Sequence, residues 1–81
     1  MNESQKKYRI FRECGALVGL KFQAAPDSDN PDMVFEITSK GVKDADGFNA
    51  VEITFADGSK EIAAVSCLDD GIYNHGVTLI N

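Results

Sequence analysis

The sequence contains no Trp, and it has only two Pro, two Cys and one His among its 81 residues. Without Trp, the five Phe and two Tyr must supply most of the large side chains of a core. The single histidine, His75, lies in the polar segment 73–76, and no Ser or Cys can be placed beside it from the sequence. A nucleophile–base pair therefore has no support, and we expect a protein that is not an enzyme and holds no cofactor or metal.

Long apolar runs are also missing. No stretch reaches the roughly 18 apolar residues that a membrane span requires, and the polar segment 1–7 is not followed by the apolar core of a secretion signal. Each glycine is isolated, so no phosphate-binding loop is present. We therefore expect a cytoplasmic protein without a membrane partner. In that compartment Cys14 and Cys67 are predicted to be free thiols, with Cys67 a small buried one.

The length indicates one small domain over residues 1–81, in which the polar residues 1–5 are expected to fray. The net charge of −5 is unevenly distributed. Residues 1–21 carry five Lys or Arg against two Glu, whereas residues 22–81 carry three Lys against eleven Asp or Glu. The overall sign argues against unspecific binding to DNA or anionic membranes and permits a partner with a basic surface.

The clearest local pattern is a β-hairpin between residues 49 and 65. Apolar residues alternate with polar ones in its first strand, and Asp57-Gly58 is typical of a two-residue turn. That turn places Ile53 opposite Ile62, whereas a three-residue loop with a glycine bulge would place Ile53 opposite Glu61 and mix the two faces. We therefore predict the two-residue turn. The predicted core residues of the hairpin are Val51, Ile53, Phe55 and Ile62.

Further short strands are predicted on both sides of this hairpin. Alternation predicts strands at 6–13, 16–23, 33–39 and 76–80, a polar turn at 41–47, and a short helical turn at 66–71 capped by Ser66. The spacing of Ile10, Cys14 and Leu17 also fits a helix that Ser4 could cap. The predicted fold class is all-β, a small antiparallel sheet of about five to six strands in a partly open barrel or a sandwich. The alternative is an α+β domain with an N-terminal helix.

The residues from Val51 to Ile62, followed by Ser66 and Leu68, carry one resemblance. This pattern is similar to the hairpin and short helical turn of SH3-like barrels such as Tudor-type modules, and it covers about a quarter of the chain. The aromatic cage that such modules use for methylated ligands is not recognisable here. The resemblance therefore implies a fold and no site.

Two segments are rich in carboxylates. The loop at 24–32 contains two Pro and three Asp, and the D-A-D-G segment at 44–47 contains two more Asp. The second segment fails as an EF-hand, because Val42 and Ile53 occupy positions that need acidic ligands. Carboxylates on loops steer the association with a basic partner. The predicted partner-binding residues are Asp27, Asp29, Asp32, Asp44 and Asp46.

The basic segment near the N-terminus provides an alternative binding surface. Basic and aromatic residues are interleaved there, a composition that suits single-stranded nucleic acid, whose backbone follows the charges while a base stacks on an exposed ring. The residues concerned are Lys6, Lys7, Tyr8, Arg9 and Arg12. The simpler interpretation is an edge strand whose charges prevent aggregation. The negative overall charge favours that interpretation.

The sequence thus favours a small, non-catalytic interaction protein. We expect an adaptor or inhibitor that binds a larger protein with a basic surface through charged loops or an edge strand. Phage-encoded inhibitors of nucleic-acid-handling complexes belong to this class. The alternative is a single-stranded nucleic-acid-binding module that uses the basic segment. The protein is expected to be a monomer or a homodimer that pairs through an edge strand.

Overall fold

The computed structural model describes residues 1–43 and 49–81, and it contains one open antiparallel sheet with two helices. The elements in chain order are α1 (Glu3–Cys14), β1 (Lys21–Gln23), β2 (Val34–Lys43), β3 (Asn49–Phe55), β4 (Lys60–Ala64), α2 (Val65–Asn74) and β5 (Thr78–Leu79). The strand order is β4-β3-β2-β1-β5, and all neighbouring strands are antiparallel. The prediction of a small antiparallel-sheet domain is confirmed, in its α+β form.

The basic segment at 6–13 forms a helix, so the predicted strand is wrong and the helical alternative is correct. Asn2, not Ser4, caps α1: its side-chain oxygen accepts a bond from the Gln5 amide at 2.8 Å, and its own amide donates to the Gln5 side chain at 3.0 Å. Gly15 ends the helix in a left-handed conformation with a φ of 71°. This capping box and glycine cap outweigh the short alternation that favoured a strand.

The first turn of α1 is bonded to the opposite end of the chain. The Leu79 amide donates to the Ser4 hydroxyl at 2.6 Å, and the Gln5 side chain donates to the Ile72 carbonyl at 3.3 Å. Residues 3–5, which we expected to fray, therefore lie in a helical turn that contacts both α2 and β5. The sequence could not reveal these contacts, because they join residues far apart in the chain.

Both helices cover the same face of the sheet. Eleven residues with at most 8% exposure form one apolar cluster in which helix and strand side chains meet: Tyr8, Leu17, Leu20, Phe22, Ile37, Val51, Ile53, Val65, Leu68, Ile72 and Leu79. The opposite face carries residues such as Lys21, Glu36 and Thr54, which lie in one row across β1, β2 and β3. Among the described residues no helix covers this second face, which we call the open face.

Tyr8 is completely buried at the junction of the two helices and the sheet. Its ring packs edge-on against Phe22, with centroids 5.9 Å apart, and against Tyr73 at 6.0 Å. Its hydroxyl donates to Asp69 of α2, which also accepts from Arg12 Nε at 3.3 Å. Burial and the adjacent carboxylate raise the pKa of the Tyr8 hydroxyl above its usual value, so the phenol stays protonated and donates.

The hairpin contains the predicted strands, but the predicted turn is wrong. The Gly58 amide donates to the Phe55 carbonyl at 2.9 Å and the Phe55 amide donates to the Ser59 carbonyl at 2.8 Å. With a φ of 88° at Gly58, this is a type I turn followed by a glycine bulge. Ile53 therefore pairs with Glu61, and the whole of β4 is shifted by one residue.

The shifted register changes which hairpin residues are buried. Val51 and Ile53 are buried, and Phe55 packs partly buried against the core, as predicted. Ile62 pairs with Glu52 on the open face and is 46% exposed, so its assignment to the core is wrong. The mixed faces are tolerated because β4 is an edge strand, where a residue on the core side such as Glu61 still reaches solvent.

Other boundaries also differ from the prediction. The strand expected at 16–23 is shortened to β1, and Val18 is 51% exposed. The expected turn at 41–47 is only partly observable, because residues 41–43 continue β2 and the remainder lies outside the described residues. The SH3-like resemblance does not extend to the topology, since the five-stranded sheet is open and α2 is a ten-residue helix.

Helix α2 is longer than the predicted helical turn and begins without the predicted Ser66 cap. Ala64 is the N-cap and no side chain bonds there. Gly71, expected to end the helix, lies inside it. A Cβ at this position would lie 3.1 Å from Val77 Cγ2. Here glycine allows the helix to pack closely against the segment that leads into β5.

Replacing Gly58 tests its left-handed conformation, on which the glycine bulge depends. Gly58→Val should lower the free energy of unfolding by about 1–2 kcal/mol, because β-branched residues avoid positive φ, whereas Gly58→Asn should lower it less. Apart from its chain neighbours, no atom of the described residues lies within 4 Å of the added Cβ, so the loss reflects backbone strain and not a clash. Urea denaturation monitored by circular dichroism measures both variants. Equal losses for the two variants would contradict the positive φ at Gly58.

Replacing Tyr8 tests the link between the helices. Tyr8→Phe keeps the packed ring but leaves Asp69 without the phenol donor, and should lower the free energy of unfolding by about 1–2 kcal/mol. Tyr73→Phe is the matched control, because Tyr73 is 38% exposed and its hydroxyl makes no hydrogen bond among the described residues. Thermal and urea unfolding should show a clear loss for the first variant only.

Candidate functional site

A concave surface lies between the β1–β2 loop and the β3–β4 turn. We call it the acidic groove, and it has a volume of about 520 Å³. The loop and the start of β2 provide one wall and the turn provides the other. The lining residues are Asp29, Asn30, Pro31, Asp32, Met33, Val34, Phe55, Ala56 and Asp57.

Backbone hydrogen bonds hold the two walls of the acidic groove together. The Ala24 amide donates to the Met33 carbonyl at 2.9 Å and closes the base of the loop, while the Ala56 amide donates to the Val34 carbonyl at 3.2 Å. The Gln23 side chain donates to the Pro31 carbonyl at 3.2 Å. Since both walls are attached to neighbouring strands, the sheet determines the distance between them.

Three carboxylates border the acidic groove, those of Asp29, Asp32 and Asp57. The Asp57 carboxylate accepts bonds from the Ser59 hydroxyl at 2.6 Å and the Ser59 amide at 2.9 Å. These bonds lower the pKa of Asp57 below its usual value of 3.8, so this carboxylate is ionised at neutral pH. Within residues 1–43 and 49–81, no group of three potential ligands is arranged to hold a metal ion.

The floor of the acidic groove is apolar and continues onto the open face. Pro31, Met33, Val34 and Ala56 supply aliphatic surface between the carboxylates. A second hollow of about 270 Å³ shares Val34, Phe55 and Ala56 with the acidic groove and extends to Lys21, Glu36, Thr38 and Thr54. An acidic border above an aliphatic floor suits a ligand that combines positive charge with an apolar stem.

The structure brings together only some of the predicted acidic residues. Asp29 and Asp32 line the acidic groove, while Asp27 belongs to the same loop and is exposed but does not line it. Asp44 and Asp46 lie outside the described residues. Sequence reasoning missed Asp57, because the Asp-Gly pair was interpreted as a turn alone, and its approach to the β1–β2 loop depends on the pairing of β2 with β3.

The structure buries one of the five residues predicted for the nucleic-acid alternative and pairs two others with carboxylates. Tyr8 is buried and cannot stack on a base. Arg9 pairs with Glu13 at 3.1 Å and Arg12 pairs with Asp69 at 3.3 Å. Only Lys6 and Lys7 of the five predicted residues are exposed without an ion pair to another described residue. For nucleic-acid binding, the segment therefore retains the exposed charges of Lys6 and Lys7 but not the stacking of a base on Tyr8.

A second polar cluster lies at the end of α2. His75 Nε2 is 3.0 Å from Asp70 Oδ2, and the Asn74 side chain donates to Asp70 Oδ1 at 2.7 Å. The Asn74 bond and the nearby imidazole lower the pKa of Asp70. All three side chains are exposed, and the cluster serves the C-terminal turn of the helix. Both cysteines are free and exposed, so the expectation of a buried Cys67 is wrong.

Comparison with known proteins gives no relative for this chain: no family model, no curated protein and no solved structure matches it. Within the described parts of the chain, neither helix has the length and apolar character that crossing a bilayer demands.

The lowered pKa of Asp57 can be measured directly. An NMR titration of the side-chain carboxyl carbon should give Asp57 a pKa below 3.8, and Ser59→Ala should raise it toward that value by removing the hydroxyl donor. Because the folded pKa is the lower one, the stabilisation from this carboxylate is complete above the unfolded pKa. It is lost as the pH falls through the folded pKa. An unchanged Asp57 pKa in Ser59→Ala would contradict the assignment.

Proposed function

We propose that this protein is a non-catalytic interaction protein that binds a larger protein partner with a basic surface through the acidic groove. The observation that supports this most is the border of three carboxylates around an aliphatic floor in a groove of about 520 Å³. Such a groove has the size of an ordinary ligand pocket. It is open enough to accept side chains that project from another protein.

Arg and Lys side chains match the chemistry of the acidic groove best. Their aliphatic stems pack on surfaces such as Val34 and Ala56, while their charged ends reach carboxylates at the border. Ser59 holds the Asp57 carboxylate in place, so one of the three carboxylates at the border of the groove is already oriented before binding. Preorganisation of this kind reduces the entropy lost on association.

The charge of the whole chain supports the same partner class. A net charge of −5 attracts a basic surface over distances of about a Debye length, which increases the association rate at low salt. An adaptor or inhibitor of this kind acts by covering the basic surface of its partner. One form of this proposal is the inhibition of a nucleic-acid-handling complex, as by a phage-encoded inhibitor. The proposal also includes a cytoplasmic location.

A double variant that removes two carboxylate charges tests the acidic groove. Asp29→Asn with Asp32→Asn keeps the side-chain shapes and removes two of the three border charges. The double variant should bind a fluorescently labelled tetra-arginine peptide roughly five- to tenfold more weakly, as expected for two partly exposed ion pairs. Fluorescence anisotropy at low ionic strength measures the affinity, and raising the salt should reduce the difference between the proteins.

Asp27→Asn is the matched control, because Asp27 is exposed on the same loop but does not line the acidic groove. It should weaken binding by less than about twofold, the effect of net charge alone. Absence of binding by the wild-type protein at millimolar peptide would contradict the proposal. The same per-charge loss for Asp27→Asn as for the double variant would show that net charge, and not the acidic groove, attracts the peptide.

A further inference from the structure

Strand β4 forms one edge of the sheet, and its hydrogen bonding determines which backbone groups face outward. The Phe55–Ser59 bond and the register of β3 with β4 make Ile53–Glu61 and Val51–Ala63 the hydrogen-bonded pairs. The alternate residues Lys60, Ile62 and Ala64 therefore direct their amides away from β3. No other strand of the described residues pairs with this side of β4, so these amides form a row of donors at a free edge, which can pair with another strand.

The side chains on β4 leave this edge accessible. Lysines on an edge strand normally discourage pairing, but Lys60 Nζ lies 3.8 Å from Glu52 Oε1 on the neighbouring strand β3. The ammonium group of Lys60 therefore lies over the sheet, where the Glu52 carboxylate partly compensates its charge. Ile62 remains 46% exposed on the open face, beside the free edge. An accessible row of donors thus lies beside an exposed apolar side chain.

We propose that β4 pairs with β4 of a second copy of this chain, antiparallel and centred on Ile62, so that the two sheets continue as one. In this register Ile62 faces Ile62 of the second copy. Lys60 then faces Ala64, and Glu61 faces Ala63. No like charges lie opposite each other, and the two Ile side chains bury each other on the open face.

The other registers that match the outward amides are unfavourable. Pairing Lys60 with Ile62 of the second copy brings the two Glu61 residues face to face, and pairing Lys60 with Lys60 opposes two lysines. Pairing Ile62 with Ala64 keeps charges apart but leaves only residues 62–64 in the shared ladder, since α2 begins at Val65. The register centred on Ile62 alone uses the whole five-residue strand without charge conflict.

The size of the contact sets the expected affinity. One five-residue strand pair buries much less than the roughly 1,200 Å² of a stable interface, so the dimer should be weak, with a Kd of about 0.1–1 mM. The two-fold axis lies perpendicular to the sheet, so both acidic grooves open on the same side. A partner with two basic segments could then bind both copies and stabilise the dimer.

Sedimentation equilibrium of the wild-type and variant proteins tests the pairing. From about 10 µM to 1 mM chain, a range that brackets the Kd expected for so small an interface, the mass of the wild-type protein should rise above the monomer value of 8.8 kDa. Ile62→Lys places two lysines opposite each other across the axis, while the new lysine lies beside Glu52 within its own chain. It should remain monomeric throughout and unfold at the same temperature as the wild type or higher.

Two comparisons separate edge pairing from other association. Ile80→Lys is the matched control, because Ile80 is also 46% exposed, and it should dimerise like the wild type. Ile62→Glu alone should be monomeric, whereas an equimolar mixture with Ile62→Lys should regain a dimer through opposite charges at the axis. The proposal is overturned if the wild type stays monomeric, if Ile62→Lys still dimerises, if Ile80→Lys loses the dimer equally, or if the mixture gains nothing.

Discussion

The arrangement of both helices on the sheet depends on the complete burial of Tyr8. A buried phenol needs an acceptor, and Asp69 provides one from α2 while Phe22 and Tyr73 surround the ring. One side chain of α1 thereby contacts both the sheet and the second helix. Because Asp69 also accepts from Arg12, its charge is compensated without leaving the helix junction. These contacts involve Tyr8 and Arg12, two of the residues that the sequence predicted to bind nucleic acid.

The two surfaces that we propose for binding depend on a second local constraint, the glycine bulge at Gly58. A two-residue turn would have shifted β4 by one residue relative to β3. That register would have placed Ile62 on the core side. With the bulge, Ile62 lies on the open face and Lys60 comes within reach of Glu52. The Asp57 carboxylate is held by Ser59 at the border of the acidic groove. One residue with positive φ thus determines both the exposed edge and one wall of the groove.

Local patterns in the sequence correctly predicted several elements of the fold. The alternation in β3 and the Pro-rich loop identified the strand and the wall that carries Asp29 and Asp32. Two failures were local, because the Asn2 capping box with the Gly15 cap and the bulge at Gly58 outweighed the alternation of apolar residues. The other failures concern contacts between distant parts of the chain. Glu61 can lie on the core side because β4 is an edge strand, where its side chain reaches solvent. The hydrogen bond between Ser4 and Leu79 orders an N-terminal segment that is polar apart from Met1. Asp57 joined the site only because β2 and β3 are paired, which no residue near position 57 reveals.

The ion pairs also alter the meaning of the charge segregation along the chain. The basic first quarter is a smaller surface than the sequence indicates, since Arg9 and Arg12 are paired with Glu13 and Asp69 in the structure. These pairs are partly exposed and add little to stability, but they cancel positive charge locally. By contrast, Asp29, Asp32 and Asp57 make no ion pair with another described residue. These three carboxylates therefore keep their negative charge at the groove, which supports the proposal of a partner with a basic surface.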